Sequence, residues 1–236
     1  MKKAIELNFI QRMPCQWFIL SLIVIPIILG ICPCNISAQT FDQNSATLTN
    51  DYLPMKFGDK LTYKTYGFPL INYEYIEAIE RETIDQVECL KVKDSFSYSS
   101  TTVYYYWLAQ DTFGNVWILQ YNDVELNEIQ YFGRSNAKLA MPSVVNVGST
   151  LWDGTETVVA TGVAVSKLST GLGPYSNCIK SKIDYGDGDI DYYYYAPDFG
   201  QVKMEFNDDG GINGFEISSI KTRSKAMPWL PLLLDD

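Results

Sequence analysis

The chain has 236 residues, of which 47% are hydrophobic, 14% aromatic and 19% charged, and its formal net charge is −10. This composition supports one large folded domain or two small ones and excludes a disordered chain. The absence of histidine excludes Ser-His-Asp and Cys-His hydrolases, histidine general bases and the usual histidine-containing zinc sites.

The first segment has the layout of a secretory signal peptide. Three basic residues precede an apolar run of 16 residues, Trp17–Cys32, and Ala38 provides a small residue for cleavage. A spanning helix needs about 20 apolar residues, which disfavours an uncleaved anchor. A lipoprotein anchor at Cys32 or Cys34 would lack the small residue that normally precedes the modified cysteine. We therefore expect residues 1–38 to be a signal peptide cleaved after about Ala38, and the protein to be secreted, either periplasmic or extracellular.

The chain beyond residue 38 carries 15 basic and 27 acidic residues. A surface of this charge repels phosphate groups, so we expect no nucleic-acid partner and no adsorption to an anionic bilayer. Cys89 and Cys178 are the two cysteines of this part, and they either pair or lie buried as separate thiols. Two cysteines are too few for a disulfide scaffold or a four-ligand metal site, and no cofactor is expected.

Two similar segments follow one another in this part of the chain. Tyr104–Trp107 leads into an Ala-x-Asp, a Phe-Gly and a valine, and Tyr192–Tyr195 leads into the same pattern. The further landmarks are Gly58 with Gly148, Cys89 with Cys178 and Gly114 with Gly200, at offsets of 90, 89 and 86 residues. The pattern predicts a linker (39–54), a β repeat 1 (55–140), a β repeat 2 (141–220) that continues the same domain, and a C-terminal tail (221–236).

The residue pattern of each repeat predicts antiparallel strands, because runs of β-branched and aromatic residues alternate with turn residues. The predicted strands are 61–66, 72–79, 87–93, 102–109, 116–121, 156–165, 177–185, 190–196, 202–206 and 215–220. Leu90 and Val92 fall on one face of their strand, and Lys91 and Lys93 on the other. The expected fold class is all-β, a curved antiparallel sheet or half-barrel with little helix outside the signal peptide; two separate small β domains are the alternative.

The turns after the two aromatic strands contain Asp111 with Gly114 and Asp198 with Gly200. An aspartate that binds its own turn backbone and a glycine that adopts a positive φ are typical of hairpins. We interpret these motifs as turn chemistry required by the fold, and a ligand-contacting loop is the alternative.

The second hairpin resembles one found in a broad group of uncharacterised secreted bacterial proteins. In these, a strand of tyrosines runs into an Ala-Pro-x-x-Gly-x-Val-Lys hairpin, which matches Tyr192 to Lys203 of this chain. The group is similar to the curved half-barrels of lipoprotein-carrier proteins in the bacterial envelope, and the resemblance covers most of residues 55–220. It implies fold and compartment more than activity. The first copy departs from the motif, with Gln110 in place of the proline and Trp117 in place of the lysine.

Carboxylates are the remaining candidates for chemistry. Asp187, Asp189 and Asp191 have the alternate spacing of a calcium loop, but Tyr192 stands where the loop needs its glycine, so a solvated hairpin tip is the preferred interpretation. Paired carboxylates could hydrolyse glycosides without histidine. The acidic residues of the first repeat show no spacing that favours this, and we expect them on the solvated side of strands and turns: Glu74, Glu77, Glu80, Glu82, Asp85 and Glu88.

The function we predict is non-enzymatic binding of an apolar or amphipathic small molecule, lipid or peptide on the concave face of the sheet. The candidate lining residues are Tyr104, Tyr106, Trp107, Trp117, Tyr193 and Tyr195. The alternatives are a surface structural or adhesive module with a filled core and, with less support, a carboxylate-dependent glycoside hydrolase. The apolar tail Met227–Leu234 either covers the sheet or docks to an envelope protein partner.

Overall fold

The computed structural model describes residues 39–41, 43–145, 150–153, 157–165, 168–184, 190–208 and 211–222. The predicted signal peptide and nearly all of the predicted tail lie outside these ranges. The described residues form β-strands, turns and loops without an α-helix. Within these ranges, no helix has the length and hydropathy needed to cross a bilayer.

The strands divide into a first and a second half of the chain. The first half contains β1 (Lys60–Tyr66), β2 (Tyr73–Ile84), β3 (Val87–Phe96), β4 (Val103–Gln110), β5 (Val116–Asp123), β6 (Glu128–Tyr131) and β7 (Lys138–Met141). The second half contains β8 (Thr150–Asp153), β9 (Thr157–Val165), β10 (Leu168–Thr170), β11 (Gly173–Tyr175), β12 (Cys178–Asp184), β13 (Ile190–Ala196), β14 (Gly200–Asp208) and β15 (Gly211–Lys221).

Among the described residues, thirteen of these strands form one antiparallel sheet that is not closed. Its order is β6-β5-β4-β3-β2-β1-β15-β14-β13-β12-β9-β8, and β7 also pairs with β5. The strands β10 and β11 form a separate hairpin. The predicted all-β antiparallel fold is therefore confirmed.

The two halves have the same order of pairing. Strands β1 to β6 form one six-stranded meander, strands β8, β9 and β12 to β15 form another, and β1 pairs with β15 where they meet. Antiparallel neighbours in sequence pair in most β proteins, whatever their ancestry. The tandem duplication therefore stays a prediction.

Strand β3 shows how the residue pattern selects the faces of the sheet. Leu90 and Val92 are buried on what we call the inner face, whereas Lys91 and Lys93 are partly exposed on the outer face. This alternation confirms the predicted faces of the strand. Cys89 is fully buried although it lies on the outer face, because a second apolar cluster covers that part of the sheet.

Cys89 and Cys178 are both free, buried cysteines. Each belongs to a different apolar cluster. Burial raises the pKa of the Cys89 thiol to about 12, so the thiolate that would react is absent at neutral pH. Of the two alternatives left open by the sequence, the structure has the separate buried thiols.

Ring contacts across the inner face show that the sheet is curved. Phe96 lies on β3 and Phe215 on β15, three positions apart in the strand order. In a flat sheet these strands would be about 14 Å apart, yet the two ring centroids are 6.2 Å apart. The inner face is therefore concave, as predicted.

The turn after β4 has the predicted aspartate and glycine chemistry, and the turn after β13 has the predicted glycine conformation. Asp111 Oδ1 accepts hydrogen bonds from the backbone N–H groups of Phe113 and Asn115, each at 2.9 Å. Gly114 and Gly200 adopt φ angles of 88° and 79°, which a side chain would strain.

Residues 43–55 pack against both of these turns. The Asn50 side chain is buried and donates hydrogen bonds to the carbonyls of Gly114 and Pro142, each at 2.9 Å. The next residue, Asp51, accepts a backbone hydrogen bond from Asp198 at 2.8 Å. The segment predicted as a linker is thus a packed part of the fold. We call this end of the sheet the anchored end.

We expect Asn50→Ala to lower the free energy of unfolding by about 2–3 kcal/mol, because it leaves buried backbone groups without partners. Its Oδ1 also accepts from the N–H groups of Tyr52 and Leu53. Urea unfolding of the purified protein measures the change. Asp51→Ala is the matched control, since its contact to Asp198 uses the backbone carbonyl, and its effect should stay within about 0.5 kcal/mol. Equal effects of the two substitutions would contradict the anchoring role of Asn50.

Candidate ligand-binding site

Four of the six predicted lining residues lie on the inner face. Tyr104 and Tyr106 of β4 both contact Tyr121 of β5, at ring-centroid distances of 6.2 and 5.2 Å. Tyr193 and Tyr195 of β13 pack against the same core cluster in the second half. The inner face thus has an aromatic lining in both halves.

Two rings that the sequence analysis did not single out link these tyrosines. Phe96 contacts Tyr104 edge-on at 6.4 Å and also contacts Phe215. Phe215 in turn contacts Phe206 of β14 at 6.1 Å. Aromatic rings therefore run continuously from β5 across the middle of the sheet to β14.

The other two predicted lining residues, Trp107 and Trp117, lie on the opposite face. Both belong to the second apolar cluster, around Cys89 and Leu119. Trp107 Nε1 donates a hydrogen bond to Glu82 at 2.6 Å, and Trp117 Nε1 donates one to Asp111 Oδ2 at 2.8 Å. Their indole groups stabilise the outer face and do not join the inner tyrosines.

The tyrosines of β13 are divided between the two faces. On the outer face, the Lys180 ammonium lies 3.6 Å from the ring centroid of Tyr192. The Lys203 ammonium lies 5.8 Å from that of Tyr194, whose hydroxyl donates to Glu205 at 2.5 Å. Outer-face tyrosines therefore interact with lysine and glutamate side chains of this chain.

The calcium prediction falls mostly outside the described residues. Asp187 and Asp189 lie there, and Asp191 is part of β13. In the part of the chain that is described, no group of three or more acidic or cysteine side chains is placed to hold a metal ion. The calcium site stays a prediction.

Glu74 and Asp94 form a pair of carboxyl groups with buried oxygens. The sequence did not predict this pair. Glu74 was expected on a solvated side, but only 4% of its surface is exposed. Glu74 lies opposite Tyr63 and Phe96, and Asp94 lies opposite Ile76 and Tyr104. Since Glu74 and Ile76 share a face, the two acids are diagonal neighbours on the inner face of β2 and β3.

These carboxyl groups are incompletely satisfied. Glu74 Oε2 and Asp94 Oδ1 are buried, and neither has a hydrogen-bond partner among the described residues. Burial and the nearby Asp94 charge raise the pKa of Glu74 well above its ordinary value. Burial also raises the pKa of Asp94 to about 7, against the effect of the Ser95 backbone N–H. Both carboxyl groups therefore keep their protons to a higher pH than exposed acids do.

The same acids contribute to raised pKa values of the neighbouring tyrosines. Burial and the charges of Asp123 and Asp94 raise the pKa of Tyr104 to about 12. Burial, and to a smaller extent the charges of Glu74 and Asp94, also raise the pKa of Tyr98. These phenols stay protonated at neutral pH, so they present hydroxyl donors and ring faces beside the acids.

Exposed apolar side chains lie at the same end of the sheet as the acid pair. The loops at this end contact one another in series: Gly67 approaches Asn213, Tyr73 O accepts from Ser97 N, and Val103 O accepts from Val124 N. We call residues 67–72, 97–102, 124–127 and 211–213 the loop end. Its exposed apolar side chains are Phe68, Leu70, Ile71, Tyr98, Val124, Leu126 and Ile212.

A separate open cleft of about 640 Å³ lies between the β10–β11 hairpin and the turn after β13. Tyr175 and Phe199, with ring centroids 5.0 Å apart, are among its lining residues. None of the predicted lining residues borders this cleft, and Asp198 is its one acidic lining residue. The acid pair and the aromatic rings next to the loop end therefore form a better candidate site than this cleft.

Comparison with known proteins does not assign the chain to a family. No family model matches it, and no curated protein matches it. Two solved structures are similar over 73% of this chain, each at 13% sequence identity. One is a "putative lipoprotein" from Parabacteroides distasonis, covered over 99% of its length with a TM-score of 0.47. The other is a "putative exported protein with YmcC-like fold" from Bacteroides fragilis, covered over 100% with a TM-score of 0.45.

The raised pKa values give a prediction for stability against pH. Between about pH 4 and pH 7 the folded protein keeps protons that the unfolded chain releases, so this pair favours folding at low pH and less so as the pH rises. A Glu74→Gln/Asp94→Asn variant should therefore match the wild type near pH 4 and exceed its free energy of unfolding by about 1–3 kcal/mol at pH 8.

Urea unfolding at several pH values measures this difference. Glu80→Gln, which removes an exposed carboxylate paired with Lys91, is the control and should show no such rise with pH. A double variant that is less stable than the wild type at pH 8 would contradict the prediction, because it would show that other interactions in the folded protein offset the cost of burying the two acids.

Proposed function

We propose that this chain is an exported, non-enzymatic protein that binds an apolar or amphipathic molecule at the loop end of its inner face. The observation that carries the proposal is the position of exposed apolar loop side chains beside a partly exposed aromatic surface. Proteins rarely expose contiguous apolar surface that has no function. Such a surface with a few polar groups inside it is typical of sites for small apolar guests.

The exposed fractions support binding at these loops. Leu70 is 71% exposed and Ile71 is 61% exposed, on the loop between β1 and β2. A guest that covered these two side chains would remove apolar surface from water, which is the main source of affinity for an uncharged tail.

The packing of the inner face limits where a guest binds. Tyr63, Leu90 and Ile217, in the middle of the sheet, are completely buried, so protein side chains already fill this region. Tyr104 and Tyr121, closer to the loop end, stay partly exposed. The proposed site is therefore narrower than the whole concave face predicted from the sequence.

The signal-peptide layout of residues 1–38 supports export. A filled core across the middle of the sheet also favours the second candidate, a structural or adhesive module that binds no small molecule. The two candidates differ in one measurable property, the affinity of the loop end for an apolar probe.

N-phenyl-1-naphthylamine, an uncharged apolar fluorophore, tests the proposal by its fluorescence increase on binding. We expect Leu70→Ser/Ile71→Ser to weaken probe binding about 30-fold, because each exposed side chain contributes roughly 1 kcal/mol when a guest covers it. Phe113→Ser is the matched control, since Phe113 is 78% exposed on a turn at the anchored end. Absence of probe binding, or an equal loss in both variants, would favour the structural module.

A further inference from the structure

We propose that Glu74 and Asp94 recognise a cationic amine on the guest, so that the site selects amphipathic cations. The inference depends on the proposed function, because the apolar loop end has to hold the rest of the same guest. The acid pair then determines the chemical class of the guest's polar group.

No cationic side chain lies directly opposite either acid. The residues directly opposite Glu74 are Tyr63 and Phe96, and those opposite Asp94 are Ile76 and Tyr104. None of these four carries a positive charge. Glu74 is almost completely buried, and its Oε2 has no hydrogen-bond partner among the described residues. A buried carboxyl oxygen without a partner is costly, and an ammonium group that donates hydrogen bonds would remove that cost.

Further acidic residues lie at this end of the sheet. Asp123 lies opposite Tyr104 on β5, and Glu125 follows in the next loop. Asp123 Oδ1 accepts from Leu126 N at 3.0 Å, and Glu125 Oε2 accepts from Thr102 Oγ1 at 2.6 Å. These two acids have structural partners and still add negative potential around the pair, which attracts a cation.

Aromatic rings also lie beside the acid pair. Tyr104 and Tyr121 are stacked with an interplanar angle of 17°, and Phe96 contacts Tyr98 at 5.3 Å. Ring faces of this kind bind ammonium groups. On the outer face, this chain uses the same interaction between Lys180 and Tyr192. An amine near the acid pair would meet carboxyl oxygens together with aromatic rings.

The chemistry of the site favours an organic amine over a metal ion. Calcium takes six to eight oxygen ligands, and magnesium requires near-octahedral oxygen geometry. Rings cannot supply these ligands, and the described residues hold no group of three or more acids placed for a metal. A primary ammonium needs only a few acceptors for its three donors, and its carbon chain matches the apolar loop end.

Three probes with the same ten-carbon tail separate the polar group from the tail: decylamine, decanol and decanoate, each competing with N-phenyl-1-naphthylamine at pH 7.5. We expect decylamine to bind the wild-type protein at least tenfold more tightly than decanol, and decanoate to bind more weakly than both. In Glu74→Gln/Asp94→Asn, the preference for decylamine over decanol should disappear.

Glu80→Gln is the control and should keep the wild-type preference, because Glu80 lies on the outer face with Lys91. The single variant Asp94→Asn, checked by its unfolding curve, should reduce the preference at least threefold. Equal binding of decylamine and decanol to the wild type would overturn the amine inference and leave the proposed function standing. Binding of none of the three probes would overturn both.

Discussion

The pairing of β1 with β15 is the interaction on which the rest of the structure depends. It runs from Lys60 opposite Lys221 to Tyr66 opposite Gly214 and joins the two meanders into one sheet. A meander has one apolar face, which needs another layer to cover it. The junction makes the two inner faces continuous, and curvature then presses Phe96 against Phe215. Among the described residues, the middle of the inner face is filled, and the loop end keeps partly exposed rings.

The anchored end and the loop end differ because the segment 43–55 packs against the turns of the anchored end alone. At the anchored end, Asn50 and Gln110 form buried hydrogen bonds that hold the turns of the sheet. At the loop end, short side-chain and backbone contacts link the loops, and apolar side chains extend into solvent. The acid pair lies beneath these loops, where low polarity keeps its carboxyl groups protonated to higher pH. The raised pKa values of Glu74 and Asp94 therefore follow from their buried position in the fold.

Residue pattern alone predicted the long strands and their turns, because alternation and turn residues are local properties. Strands of three or four residues, such as β10 and β11, are too short to show a pattern. The prediction for the third strand ended at Lys93; continuing the alternation of Leu90 and Val92 by one step would have placed Asp94 on the packed face. Trp107 was assigned to the face of Tyr106, but adjacent residues of a strand point to opposite faces, and Trp107 pairs with Lys91 on the outer face. A run of aromatic residues contains no polar position that marks the solvated face.

The lateral border of the sheet at β5 has a consequence for how this molecule behaves in a concentrated solution. Two separate short strands cover β5: β6 pairs with Gln120–Asp123, and β7 pairs with Val116–Ile118. Each covering strand has four residues, so neither offers a long row of free backbone donors and acceptors to a strand of another molecule. This arrangement disfavours polymerisation by strand addition along that border, although the sheet never closes on itself.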